Sequence, residues 1–104
     1  MITAQGPLKP RSGHASVEKD DKLYIYGGEM HSSEGYSNGD DLWSWNPETN
    51  EWKECTYGKD KPKGRLGARM ALLSDGVLMY GGLALAESKE WDAKEWFGDT
   101  WIWK

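Results

Sequence analysis

An all-β fold built from two repeated units is predicted by three observations. First, Arg11, Gly13, Asp21, Tyr26, Gly27 and Gly28 recur as Arg65, Gly67, Asp75, Tyr80, Gly81 and Gly82, each pair 54 residues apart. A fixed period of that size marks a repeat architecture, in which each unit stacks its apolar face on a neighbour. Second, Leu23–Tyr26 and Val77–Tyr80 are short apolar runs bounded by Asp, Lys and Gly. They are too short for helices and suit strands buried on both faces. Third, Asp40 to Asn46 alternates, placing Trp43 and Trp45 on one face with Ser44 opposite, and Asp99 to Lys104 repeats the pattern with Trp101 and Trp103.

Each element follows in order along the first unit. Arg11 to His14 precedes the strand Leu23 to Tyr26, which ends in Gly27-Gly28. A glycine pair at a strand end suits positive φ or a close approach by neighbouring backbone. Leu42 to Trp45 forms a third strand, and Asn46 to Asn50 carries Pro and Asn where a tight turn closes a hairpin onto Trp52. The second unit repeats Arg65, Gly67, Val77 to Tyr80, Gly81-Gly82 and the Trp101 to Trp103 strand.

This order of signals, from Pro10 to Cys55 and again from Arg65, resembles the kelch repeat of a β-propeller. The resemblance covers residues 10–104. It implies an all-β fold of two four-stranded antiparallel blades, with blade 1 over 10–55, a connector over 56–64 and blade 2 over 65–104. The second unit departs from the pattern twice: Ala68 stands where His14 does, and no counterpart of Trp52 follows, so its fourth strand is missing. Residues 1–9 stand where the tail of a preceding blade's fourth strand would be, and are expected to pair with a neighbouring blade. The resemblance also implies structural roles. Arg11 and Arg65 hydrogen-bond the blade connectors, His14 and the glycine pairs hold strand ends, and Asp41 and Asp99 cap the loop before the third strand. Trp43, Trp45, Trp52, Trp101 and Trp103 are expected in the core between blades.

Propellers close with about four to eight blades, whereas this chain encodes about two. An isolated pair leaves two faces and several strand edges open to water, which is an aggregation liability. The chain is therefore expected to need a partner, with a homo-oligomeric ring as the first choice and a trimer of six blades as its simplest form. The alternative is a fragment, natural or engineered, of a larger propeller without independent activity.

The 104 residues carry a formal charge of −4, which disfavours nucleic acid or an anionic membrane as the main partner. The basic cluster Lys59, Lys61, Lys63 and Arg65 is interrupted by Asp60 and reads as a solvated connector. Residues 1–10 lack a signal-peptide core, and no stretch has the length to span a bilayer, so the cytoplasm is the default compartment. The single cysteine, Cys55, excludes an intrachain disulfide or a cysteine-based metal cage.

Function is expected in the segments where the repeats differ. The first, Glu29 to Asp40, is polar and flexible in composition. Its His31 with Glu29, Glu34 and Asp40 lacks the spacing of a metal site. The second, Leu83 to Gly98, is longer by four and more apolar; Ser88 as an N-cap predicts one or two helical turns over Lys89 to Phe97. Tyr36, Trp91, Trp96 and Phe97 are the candidate partner contacts, because aromatics on a rim loop are typical anchors.

An enzymatic reading finds little support. The chain has two histidines, His14 and His31, and no nucleophile triad order, phosphate-cradling glycine loop or HExxH motif. No cofactor or metal is implied. The reading is a protein-binding, self-assembling scaffold and not an enzyme, with a propeller binding a sugar or another small molecule as the alternative.

Overall fold

The computed structural model describes residues 8–32, 35–56, 60–86 and 93–103. Every element among them is a β-strand. In chain order these are β1 (Ala15–Lys19), β2 (Lys22–Tyr26), β3 (Glu29–Ser32), β4 (Gly35–Asn38), β5 (Leu42–Asn46), β6 (Glu51–Cys55), β7 (Arg69–Leu73), β8 (Gly76–Tyr80), β9 (Leu83–Leu85), β10 (Ala93–Trp96) and β11 (Thr100–Trp103). Two larger antiparallel sheets run β1-β2-β5-β6 and β11-β8-β7, and a two-stranded hairpin is inserted into each, β3-β4 between β2 and β5 and β9-β10 between β8 and β11.

Local chemistry fixes the turns. Lys19 pairs with Lys22, leaving Asp20 and Asp21 as a two-residue loop, and both have positive φ, at 53° and 63°. That backbone matches the twist of the strands it joins, and Asp tolerates it. Between β5 and β6, the Asn46 side chain accepts from the Glu48 N–H at 3.0 Å and its carbonyl accepts from the Asn50 N–H at 2.7 Å. Asn50 closes that turn at φ 57°.

The registers define the faces. In the first sheet Ala15, Tyr26, Leu42 and Cys55 form one row across all four strands. In the second sheet Met70, Met79 and Trp101 form another. These two rows pack on each other, with Ala68, Tyr24 and Trp103 around them, and this contact is the hydrophobic core. Tyr26 and Trp103 meet there with ring centroids 5.9 Å apart. The core therefore lies between sheets, as expected of stacked repeats that cannot cover themselves.

Three expectations need correction. Ala93–Trp96 is not helical: it is a strand on β9, with a register irregularity between Ala93 and Glu95; the rest of the expected helix lies outside the described residues. The segment after Gly28 is likewise an ordered hairpin in which Met30, His31 and Ser32 pair with Ser37, Tyr36 and Gly35. Finally, the five strand tryptophans divide. Trp101 and Trp103 pack on the core, but Trp43, Trp45 and Trp52 lie half-buried on the opposite face of the first sheet, outside the core cluster. There Trp45 and Trp52 are tilted against each other at 6.1 Å, while Leu42 and Ser44 take the covered side. Alternation shows which residues share a face; it does not show which face is covered.

Candidate functional site

The junction where one sheet receives the next is organised by Arg65, which is only 1 % exposed. Its Nη2 donates to Asp99 Oδ2 at 2.9 Å, its Nη1 to the Gly81 carbonyl at 3.1 Å and to Asp99 Oδ1, and its Nε to the Lys63 carbonyl at 3.0 Å. The guanidinium also lies 3.8 Å from the centroid of the Phe97 ring. A buried arginine with a bidentate carboxylate, two carbonyls and an aromatic face has its charge and donors met. Asp99 also accepts the Trp101 indole N–H at 2.6 Å. The hydrogen bonds from Arg65, strengthened by its charge, hold the Asp99 carboxyl down at about 2.

Arg11 repeats this set in the first unit. It donates to Asp41 at 2.7 and 3.0 Å, to the Gly27 carbonyl at 3.1 Å and to the Lys9 carbonyl at 3.3 Å, and Asp41 accepts from the Trp43 indole at 2.7 Å. Burial would raise the Asp41 carboxyl, but the bonds from Arg11 and Trp43 outweigh it and the net shift is downward. Each Arg thus fastens its connector to the glycine pair and the third strand of its own unit.

The main chain of Arg65 meanwhile fastens the second unit to the first. Gly28 N–H donates to the Arg65 carbonyl at 2.8 Å, Arg65 N–H to the Gly39 carbonyl at 3.1 Å, and Gly67 N–H to the Gly13 carbonyl at 2.7 Å. Gly27, at φ 68°, could not carry a side chain here: a Cβ would lie 2.5 Å from the Arg65 carbonyl oxygen. Tyr26 adds a buried hydroxyl that donates to the Lys63 carbonyl at 3.0 Å, with the Pro62 carbonyl at 3.3 Å. Burial pushes its phenol upward, so it stays a donor. Asn38 closes the rim, its amide donating to the Leu85 carbonyl and accepting from the Leu85 N–H, both at 2.8 Å. Lys61 pairs with Asp40 at 2.9 Å on the same side.

The same positions on the second sheet stand open. A Cβ on Gly81 would meet nothing nearer than the Phe97 carbonyl oxygen at 3.8 Å, and one on Gly67 would meet nothing within 4 Å. Tyr80, the counterpart of Tyr26, is 53 % exposed, and Ile102 beside it is also exposed.

The remaining sequence candidates fall in several places. His14 is exposed, and its Cα would lie 3.2 Å from a Cβ placed on Gly28. Trp52 stands half-buried on the face of β6 turned away from the core. Tyr36 packs edge-on against His31 at 4.5 Å on the β3–β4 hairpin. Phe97 is engaged by Arg65, Trp96 is 73 % exposed, and Trp91 lies outside the described residues. His31 lies 3.6 Å from Glu29, and the described residues contain no group of three metal-ligating side chains. The apolar cleft between the sheets, lined by Tyr24, Leu42, Met70 and Trp103 among others, holds about 120 Å³, below the few hundred Å³ typical of ligand sites. No helix among the described residues is long and apolar enough to cross a membrane.

Sequence reasoning did not find the Asn38 clamp, the Tyr26 hydroxyl or the close approach at Gly39 and Gly64. A signal existed for the glycines: Gly39 aligns with Phe97 and Gly64 with Pro10, departures that mark where a neighbouring backbone presses.

Stacked antiparallel sheets, each closed by an Arg–Asp pair over a Gly-Gly strand end, define the blades of a kelch-type β-propeller. The chain belongs to the family of the KLHDC2/KLHL20/DRC7 kelch-repeats domain, whose family model matches residues 1–104. It is 32 % identical over 76 residues to the Rho GTPase-activating protein gacHH of Dictyostelium discoideum, covering 70 % of this chain and 5 % of that protein. It is 36 % identical over 74 residues to N-(sulfonatooxy)prop-2-enimidothioate sulfolyase of Thlaspi arvense, covering 70 % of this chain and 21 % of that one. The solved structure of YjhT, a kelch-type propeller, matches with a TM-score of 0.60 at 29 % identity, over 72 % of this chain and 22 % of YjhT. The chain spans about a fifth or less of the length of these proteins.

Proposed function

We propose that this chain is a non-catalytic blade pair that builds a protein-binding propeller by head-to-tail association with copies of itself, three chains giving the simplest ring. One observation carries the reading: the face exposed on the second sheet, with Tyr80 and Ile102, is the repeat counterpart of the face buried on the first, with Tyr26 and Ser44. The other open face, bearing Trp43, Trp45 and Trp52, is likewise the counterpart of the Trp101 and Trp103 face that covers the core. Each end of the pair thus offers half of a contact already made in its middle, which is a heterologous interface that can close into a ring. In such a ring residues 1–9 would lie against the preceding blade.

The hairpins β3-β4 and β9-β10 then stand in repeated positions around one rim. Tyr36 and Trp91, the latter outside the described residues, are the proposed contacts to a partner protein, since aromatic side chains make efficient anchors. Kelch domains generally mediate protein–protein contacts, which supports the scaffold assignment over the catalytic activity carried in the name of the Thlaspi relative.

Sedimentation equilibrium tests the assembly. A species at three times 11.8 kDa is the expected result, and a monomer at all concentrations would refute the ring. Capture of a partner by the wild-type chain but not by Tyr36→Ala or Trp91→Ala would then support the rim contacts.

A further inference from the structure

We infer that Trp96 is a blade-to-blade contact, which packs on the β3–β4 hairpin of a second copy of this chain beside that copy's Pro10. The inference rests on the head-to-tail reading above and reassigns Trp96 away from the external partner surface.

The placement follows from the repeat. Trp96 pairs with Leu83 as Asn38 pairs with Glu29, and the next residue donates its N–H to the second glycine of the pair in both units: Gly39 to the Gly28 carbonyl at 2.8 Å, Phe97 to the Gly82 carbonyl at 2.9 Å. The peptide groups after Asn38 and Trp96 are therefore equivalently held, and the two side chains leave the same face of their hairpins. Asn38 uses that position to reach Leu85 on β9, in the hairpin of the next unit. The counterpart of Leu85, one period back, is His31. A second copy seated on the open face would therefore bring His31 to Trp96.

A second, separate difference at the same junction explains why the residue is large. In the inner junction Gly64 lies so close to Asn38 that a Cβ would strike the Asn38 carbonyl oxygen, a contact that only displacement of backbone could relieve. The counterpart of Gly64 is Pro10, which carries that Cβ. A copy-on-copy junction must therefore open slightly at this rim. Asparagine is too short to bridge the wider gap, whereas an indole spans it and brings an aromatic face to His31. Gly64 with Asn38 is the close pair of the inner junction; Pro10 with Trp96 is the wide pair of the outer one. The 73 % exposure of Trp96 in the single chain is then the surface this contact covers, since so large an exposed apolar side chain marks a site of association.

The test is sedimentation of the full chain, of Trp96→Asn, and of Trp96→Asn combined with Pro10→Gly. Trp96→Asn should weaken self-association at least about tenfold, the range of a buried tryptophan anchor. The double variant should regain most of the loss, because it rebuilds the inner pair. Urea midpoints of the dissociated chains control for folding, and Trp96→Asn should leave them unchanged. Association of Trp96→Asn at wild-type strength overturns the inference and leaves the ring standing. A double variant no stronger than Trp96→Asn overturns it as well. A wild-type chain that stays monomeric removes the ring itself, and the contact with it.

Discussion

Tyr26 and Tyr80 occupy the same position in their repeats, yet Tyr26 is 1 % exposed and Tyr80 is 53 % exposed. The difference lies in the neighbour. Tyr26 faces the second sheet and donates to the connector carbonyls of Pro62 and Lys63, whereas the equivalent face at Tyr80 is open. In the dissociated chain, Tyr26→Phe should lower the free energy of unfolding by about 1 kcal/mol, the net worth of one buried hydrogen bond. Tyr80→Phe should change it by less than about 0.5 kcal/mol, as exposed substitutions do. Paired urea titrations check both.

The glycine pairs should show the same asymmetry. Gly27→Ala places a methyl 2.5 Å from the Arg65 carbonyl oxygen, where backbone must move. Gly81→Ala meets only an ordinary contact with the Phe97 carbonyl oxygen at 3.8 Å and bears the strain of φ 78°, about 1–2 kcal/mol. The first variant should therefore be largely unfolded under conditions where the second retains its strand signal in far-UV circular dichroism.

Acid stability should depend on Asp99. Its folded-state value, about 2, lies below the ordinary 3.8 because Arg65 hydrogen-bonds the carboxylate. A lowered folded-state value means that the stabilisation is fully present above about pH 4 and is lost as pH falls through about 2. Asp99→Asn should reduce the slope of stability against pH across that window, with Asp41, shifted in the same direction, supplying what remains. Thermal midpoints at pH 2 to 5 give the measurement.

Arg65→Ala leaves the core without its most buried cation and strands the carbonyls of Lys63 and Gly81. Each acceptor left unpaired costs about 1–3 kcal/mol, while Asp99, whose side chain is 40 % exposed, keeps its contact with water. Arg65→Lys should recover only part of this, because an ammonium cannot make the two-pronged bond to Asp99. Denaturant midpoints should rank wild type, Lys, then Ala.

Asn38→Ala should cost about 1–2 kcal/mol by removing both rim bonds to Leu85. Because it acts across the junction, the Leu85 amide should exchange with solvent faster, while amides in the middle of β2 should retain their protection against local opening. Hydrogen exchange followed by NMR distinguishes this local loosening from a general loss of stability.

Much of the strand order was legible because its signals are local. The runs around Ile25 and Leu78, the alternation at Trp43 and the Asn-rich turn after Asn46 depend on side-chain period and turn chemistry, which the chain carries residue by residue. The hairpins were not legible. Glu29 to Asn38 lacks an apolar alternation, and the apparent N-cap at Ser88 suggested a helix where Ala93–Trp96 instead pairs with Leu83–Leu85. Short polar hairpins are held by backbone bonds to the glycine pairs, such as Gly39 N–H to Gly28 and Phe97 N–H to Gly82, and side-chain pattern does not report those.

The sequence by itself determined that the chain repeats, that each unit is made of strands, and which residues share a face: period two and a 54-residue echo suffice for that. Only the tertiary structure decided which face is covered. Ser44 is buried while its neighbours Trp43 and Trp45, on the other face, are only half-buried, and Tyr26 is sealed while Tyr80 is exposed. The reason is physical: a sheet has two faces of similar chemistry, and burial belongs to the pair of sheets in contact. That pairing is set by where the Arg65 main chain docks on Gly28 and Gly39, a contact between units that neither repeat contains alone.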